Sequence, residues 1–240
     1  MSPDVRQHRG AHPSDGELFD ASNLAILRAA TSDLSWLLGR RYAIKSSLKL
    51  VGDRHSLTDR QRLAVSRAAC SDDQKQRRKS TCLAFESLRN QRLVIDGFNL
   101  VITLEAALGG GVLIICRDGA MRDLSGVHGS YRSVVETETA IRLVGEMLEP
   151  LDLESVKWLF DKPISNSGRL AQRIGEMARG RGWPWSVEVV TNPDRAILVS
   201  DEIAVTSDSI ILDGARRWVN LAYRLVRERL PEAWVIDLCC

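Results

Sequence analysis

Four aspartates each follow an apolar run typical of a buried strand, and this pattern predicts metal-assisted chemistry. Residues 93–95 precede the first of them, and runs at 156–160, 187–191 and 203–206 precede the others; the aspartates are Asp96, Asp161, Asp194 and Asp208. Because parallel strands end at one edge of a sheet, we expect the four carboxylates to meet in one crevice. Clustered carboxylates repel unless a cation lies between them, and Mg²⁺ or Mn²⁺ prefers such oxygen ligands. The alternative is that these acids only cap helices.

Two further polar positions extend this predicted crevice. Asn99 follows Gly97, where the chain can turn sharply out of the strand, so its amide can cap a helix and face the crevice. Glu138 lies near the start of a later helix, and Glu136 fits the same place equally well. The sequence therefore predicts an acidic site with the identity of the helix glutamate left open.

Basic residues in two polar segments are candidates for binding phosphate. The first segment, residues 117–132, is long for a connection between a strand and a helix, and such loops are often functional. The second, residues 72–80, also reads as a solvated linker helix. The candidates for substrate binding are Arg117, Arg122, His128 and Arg132 in the first segment, and Lys75, Arg77 and Arg78 in the second.

The elements that would position these residues divide the chain into a helical part and an α/β part. After a flexible lead at 1–15, helical spacing predicts helices near 21–39, 42–51 and 58–69, which form a small basic domain over 16–72. Thr58 and Gln61 fit a capping box at the third helix. A basic linker helix is expected at 73–90. Strands and helices then alternate over 91–240, which predicts a mainly parallel, three-layer sheet of five or six strands.

Cysteine content indicates an intracellular protein, and the distribution of charge fits either polyanion binding or ordinary charge scatter. Residues 1–90 carry 16 Lys and Arg against 10 Asp and Glu, whereas residues 91–240 carry 17 against 21. A basic part joined to an acidic part favours a nucleic-acid partner held by the first and metal chemistry in the second. Five scattered cysteines without metal-ligand spacing indicate reduced thiols. We expect a cytoplasmic protein with no membrane segment, and a homodimer is left open.

Short motifs in the α/β part resemble those of PIN-like nucleases. Residues 94–99, Val-Ile-Asp-Gly-Phe-Asn, resemble the opening motif of the NYN branch, and residues 205–209, Val-Thr-Ser-Asp-Ser, resemble its late Thr-x-Asp motif. Phe-Asp at 160–161 is similar to the mid-sheet aspartate. The resemblance implies a PIN-like fold, with Asp96, Asp161 and Asp208 as metal ligands. It also implies Mg²⁺ or Mn²⁺ as cofactor, Glu138 and Asp194 as assisting acids and Asn99 as an orienting residue.

The whole chain also resembles a prokaryotic domain-of-unknown-function family that has a helical N-terminal part. The similarity rests on residues 48–54 with Arg60, Gln61 and Arg62. Three functions remain. The first is a divalent-metal-dependent ribonuclease, favouring RNA over DNA. The second is a non-catalytic nucleic-acid-binding protein with a degenerate scaffold. A haloacid-dehalogenase-type phosphohydrolase is disfavoured, because Phe98 stands where that class has a second aspartate.

Overall fold

A computed structural model describes residues 8–126 and 129–239 and shows a helical region followed by an α/β region. Five helices come first, and their bounds are α1 Asp15–Leu18, α2 Ala21–Gly39, α3 Ile44–Arg54, α4 Asp59–Ala68 and α5 Asp72–Thr81. The predicted capping box is confirmed, since Thr58 and Gln61 exchange side-chain and backbone hydrogen bonds at the start of α4. A second box joins Ser71 and Gln74 at the start of α5.

The strands form two sheets. In chain order they are β1 Arg92–Asp96, β2 Leu113–Ile115, β3 Met121–Asp123, β4 Ser155–Asp161, β5 Trp185–Val190, β6 Ile203–Val205, β7 Trp218–Val219 and β8 Val235–Asp237. The larger sheet has the order β5-β4-β1-β6-β7, and every pair in it is parallel. The prediction of an α/β protein with a parallel sheet behind a helical region is therefore confirmed at this level.

Helices cover both faces of the larger sheet. They are α6 Gly97–Leu108, α7 Thr137–Leu148, α8 Ser167–Arg181, α9 Pro193–Val199, α10 Ser209–Gly214 and α11 Leu221–Arg229. Leu93 and Ile95 of β1 pack into one hydrophobic cluster with α6, α7 and α11. Val94 faces the other way, into a cluster with α9 and α10. This alternation makes the central strand apolar on both sides, as expected for a buried parallel strand.

The second sheet differs from the expectation of a single sheet. β2 pairs with β3 in antiparallel fashion and with β8 in parallel fashion, so neither β2 nor β8 belongs to the larger sheet. β3 lies inside the polar segment 117–132 and had no apolar run to mark it. Ile114 of β2 packs against the helical region, in a cluster with Leu27 and Val65. The second sheet thus joins the helical region to the α/β region through one shared core.

The chain between α10 and α11 also differs from the sequence expectation. A single helix was expected there up to about residue 229, but Trp218 and Val219 form the edge strand β7 instead. The buried Trp218 ring donates its indole N–H to the carbonyl oxygen of Arg78 at 2.7 Å. That contact ties α5 to the edge of the larger sheet.

The described part of the predicted flexible lead makes specific contacts. Residues 1–7 lie outside the described part of the chain. Arg9 pairs with the buried carboxylate of Glu105 in α6. Its neighbour Gly10 lies so close to Gly109 that an added Cβ would stand 2.9 Å from the Gly109 carbonyl oxygen. Further along, Asp15 is buried and accepts two hydrogen bonds from Arg60, both at 2.8 Å.

Among the helices of the described residues, none is both long and apolar enough to cross a membrane.

Candidate functional site

Three of the four predicted aspartates line one cleft at the carboxyl edge of the larger sheet. Asp96, Asp194 and Asp208 border a cleft of about 470 Å³, together with Asn99. Strands β1 and β6 are neighbours in this sheet, which brings Asp96 at the end of β1 close to Asp208 behind β6. The fold therefore gathers acids that are up to 112 positions apart in the chain.

Asp96 is held by the abrupt transition from β1 to α6. Helix α6 begins at Gly97, where an added Cβ would lie 2.8 Å from the Leu159 carbonyl oxygen and against the Phe160 ring, so glycine is required. Thr206 donates its hydroxyl to the Asp96 carboxylate at 2.9 Å. Burial, together with the charges of the Asp208 and Asp194 carboxylates, raises the pKa of Asp96 to about 7.

Asp208 and Asn99 are fixed by hydrogen bonds with the backbone around them. The Asp208 carboxylate caps α10 by accepting the N–H groups of Ile210 at 2.8 Å and Ile211 at 3.3 Å. The Asn99 side-chain oxygen accepts the N–H and the hydroxyl of Ser207, at 2.8 and 2.9 Å. Asn99 thus ties α6 to the loop that carries Asp208. Asp208 therefore both caps a helix and lines the cleft, so these two roles do not exclude each other.

Asp194 and Asp161 complete the acidic edge. Asp194 lies in the first turn of α9, and its pKa is raised by burial and by the Asp208 and Asp161 carboxylates. Asp161 ends β4; burial raises its pKa, but it is not among the residues that line the cleft. Within residues 8–126 and 129–239, no Lys, Arg or His forms an ion pair with Asp96, Asp161, Asp194 or Asp208.

The acidic edge has the donor chemistry of a magnesium site, although its side chains are not arranged as a complete set of ligands. In the described parts of the chain, no group of three His, Cys, Asp or Glu side chains is placed to hold a metal ion. Mg²⁺ is commonly bound by one or two carboxylates, with waters and substrate phosphate filling its other positions. Asp96 and Asp208 are neighbouring carboxylates without ion pairs to described residues, and they fit that smaller requirement.

The predicted helix glutamate is not part of the cleft. Glu138 lies in the first turn of α7 and pairs at the surface with Arg173 at 2.9 Å, with 64% of its side chain exposed. Glu136 precedes α7 and pairs with His8 at 2.6 Å. Neither of the two glutamates lines the cleft.

Two of the predicted phosphate-binding arginines are buried in a network of ion pairs. Asp118 lies between Arg78 and Arg122, with an N–O distance of 2.7 Å to each guanidinium group. Arg78 also pairs with Asp213 at 2.7 Å, and only 2% of its side chain is exposed. Arg78 therefore joins α5 to the α/β region and is not offered to a substrate. Arg122 borders the cleft, but its donors are directed at Asp118 and at backbone carbonyl oxygens.

The remaining predicted phosphate contacts lie away from the residues that line the cleft. Arg117 pairs with Asp72 at 2.6 Å, and Arg77 donates to the Asp213 carbonyl oxygen at 2.5 Å. Lys75 in α5 and Arg132 do not line the cleft either. His128 lies outside the described residues.

Sequence reasoning missed two charged residues of the cleft, Asp123 and Arg67. Asp123 ends β3, is buried, and accepts the Thr103 hydroxyl at 2.8 Å. It was missed because β3 has no apolar run. Arg67 of α4 also lines the cleft, and its position on the basic face of that helix was the one signal available.

Comparisons with known proteins identify two family segments. Residues 85–224 match the model of a domain of unknown function (DUF5616), and residues 26–81 match that of a protein of unknown function (DUF434). The chain is 31% identical over 186 residues to "Uncharacterized protein MJ0935" of Methanocaldococcus jannaschii, which covers 78% of this chain and 88% of that protein. No solved structure matches the chain.

The two matched segments coincide with the helical region and with most of the α/β region. This confirms the expected membership in a domain-of-unknown-function family with a helical N-terminal part. The match over residues 85–224 includes β1, α6 and the loop of Asp208, and thus the acidic edge of the cleft. The chain belongs to the DUF5616 family and carries a DUF434 segment ahead of the DUF5616 domain.

Proposed function

We propose that the protein is a divalent-metal-dependent nuclease of PIN-like type that cleaves phosphodiester bonds, with RNA favoured over DNA. One observation carries the proposal: Asp96, Asp194 and Asp208 share a cleft without ion pairs to described residues, and burial, followed by the charges of Asp208 and Asp194, raises the pKa of Asp96 to about 7. Repulsion between these carboxylates is unfavourable in the metal-free protein, and a bound cation would relieve it. Perturbed carboxylates in a cleft are typical of functional sites.

Each side chain at the edge has a role in this proposal. Asp96 and Asp208 would hold Mg²⁺ or Mn²⁺, and the ion would supply stabilisation for negative charge developing on phosphate oxygens. Asn99 keeps the Asp208 loop in register with α6 through Ser207. The Asp194 carboxylate, whose pKa is raised, is suited to accept a proton from an attacking water molecule. Asp161 acts on this site through its charge on Asp194.

The test is cleavage of labelled single-stranded RNA and DNA with Mn²⁺, with Mg²⁺ and with chelator. Asp96→Asn and Asp208→Asn should each abolish metal-dependent cleavage, because each removes a charge that would hold the ion. Asp201→Asn is the matched control, since Asp201 is an exposed aspartate paired with Arg216 at the surface. Cleavage that survives chelator, or that survives Asp96→Asn and Asp208→Asn, would contradict the proposal.

A second candidate is a nucleic-acid-binding protein without catalysis. It is favoured by the lack of a three-residue group placed to hold a metal among the described residues. In that case the wild-type protein would bind RNA without cutting it under any metal condition. Asp208→Asn would then leave binding intact, so that measuring cleavage and binding together separates the two functions.

A further inference from the structure

We infer that Arg67 of α4 binds a substrate phosphate opposite the aspartates, so that the DUF434 segment supplies one wall of the cleft. This inference rests on the proposed function and names a substrate-binding residue for it. Ile44 at the start of α3 and Ser66 of α4 line the cleft together with Arg67. Since Ile44 is 48% exposed, the same wall also offers an apolar surface to a sugar or base.

Arg67 keeps hydrogen-bond donors available. Its Nη1 donates to the carbonyl oxygen of Asp123, and its Nη2 donates to that of Ser125 at 2.5 Å. A guanidinium group has five N–H donors, so these bonds leave three without a hydrogen-bond partner among the described residues. The nearest carboxylate oxygen, on Asp123, is 3.5 Å away and already engaged by the Ser125 N–H. With 29% of its side chain exposed, Arg67 combines a fixed position with access to the cleft.

The distance between this cation and the aspartates is set by Arg122. Its Nη1 donates to the Arg67 carbonyl oxygen at 3.1 Å, while its Nε donates to the Ser207 carbonyl oxygen at 2.7 Å. Ser207 precedes Asp208, so one buried guanidinium group holds both walls of the cleft. Asp118 in turn holds Arg122.

This arrangement matches the charge pattern of a phosphodiester next to a metal site. Arg67 forms an ion pair with the cleft residue Asp123 at 3.5 Å but with none of Asp96, Asp194 and Asp208, although all of these residues border the same 470 Å³ space. An anion between them can meet the fork of Arg67 donors on one side and an ion held by the aspartates on the other. A cleft with Arg67 on one side and an ion held by the aspartates on the other thus favours a polyanion over a neutral substrate.

The test measures binding of fluorescein-labelled single-stranded RNA to Asp208→Asn protein by anisotropy over a range of KCl concentrations. Adding Arg67→Gln should weaken binding by about 10- to 100-fold, as expected for losing a charged hydrogen bond. It should also reduce the slope of log K against log salt by about 0.7, the change expected for losing one phosphate contact to a single strand. Adding Arg67→Lys should keep the slope, because the charge remains.

Arg62→Gln provides a matched control on the same helix. Arg62 donates to two carbonyl oxygens, of Leu57 and Lys49, and pairs with Asp53, yet it does not line the cleft. Adding it should leave both affinity and slope unchanged. Urea unfolding of each variant checks that the fold is retained.

The outcomes separate this inference from the nuclease proposal. If Arg67→Gln behaves like Arg62→Gln, or if Arg67→Lys reduces the salt slope as much as Arg67→Gln does, then Arg67 only clamps its loop and the inference is overturned. If the wild-type protein binds RNA but never cuts it, and Arg67→Gln still reduces the salt slope, the nuclease proposal fails while the inference stands. No binding of RNA by the Asp208→Asn protein would overturn both.

Discussion

Asp118 is a buried aspartate and Asp96 a half-buried one, and their surroundings differ in charge. Asp118 is surrounded by Arg78 and Arg122, and these guanidinium groups outweigh burial and lower its pKa. Asp96 faces other carboxylates instead, and burial together with their charges raises its pKa. Arg122 lies close enough to border the cleft, yet it pairs with Asp118. Among the described residues, the cations near the acidic edge therefore pair with other acids and none pairs with Asp96, Asp194 or Asp208, as a binding site for a cation requires.

The largest expected effect is the loss of stability on removing the carboxylate of Asp118. Asp118→Asn should lower the free energy of unfolding by about 3–5 kcal/mol at pH 7, because two buried guanidinium groups lose their common partner. Asp118 has a lowered pKa in the folded state, so its contribution is present above about pH 4 and declines as the pH falls. Urea unfolding at several pH values measures this. A loss below about 1 kcal/mol would show that the network is not a major source of stability.

Removing the charge of Asp96, which has no ion pair with a described residue, should change the free energy of unfolding in the opposite direction. Asp96→Asn should raise the free energy of unfolding by about 2 kcal/mol at pH 8 without metal, because a charge in an unfavourable position is removed. Since the folded pKa is raised to about 7, folded Asp96 keeps a proton that the unfolded chain has released. Wild-type stability should therefore fall between about pH 4 and 7, and the advantage of the variant should disappear toward pH 4. Destabilisation at pH 8 would contradict this account.

A bound metal ion should neutralise part of the negative charge at the acidic edge and so reduce its difference from the Asp118 network. Mg²⁺ or Mn²⁺ at ten times its Kd should stabilise the wild-type protein by about 1.4 kcal/mol, seen as a higher melting temperature. The same ion should leave the melting temperature of Asp96→Asn and Asp208→Asn unchanged. Equal stabilisation of all three proteins would place the ion elsewhere.

The smallest effect is expected at Glu138, which does not line the cleft. Glu138→Gln should change stability by less than about 0.5 kcal/mol, because its pair with Arg173 is exposed to water. It should also leave cleavage unchanged, since Glu138 does not border the cleft. A large loss of cleavage in this variant would require α7 to move toward the aspartates.

The sequence predicted the positions of the acidic residues better than those of the basic residues, for a physical reason. Asp96 and Asp208 follow strand-like apolar runs, and the geometry of a parallel sheet determines where such residues lie. The partners of an arginine depend on tertiary contacts that no local pattern encodes. Arg78 and Lys75 belong to the same polar segment, yet Arg78 is almost completely buried between Asp118 and Asp213.

The division into two sheets was also beyond the reach of the sequence pattern. β2 reads as a buried strand, and it is one, but periodicity does not say which sheet a strand joins. β3 is a three-residue strand that includes Arg122 and Asp123, so its composition resembles a loop. Arg67 was visible as a basic residue on α4, whereas its place in the cleft depends on α4 packing beside β2.

The core shared by α2, α4, β2 and β8 determines how the polypeptide can be divided. A cut near residue 82, between the two family segments, would expose Ile114 and Leu238 on one fragment and Leu27 and Val65 on the other. Each fragment would then expose an apolar face that the intact chain buries, so each should aggregate when produced alone. Heating the intact chain should correspondingly give one cooperative transition, with both segments melting together.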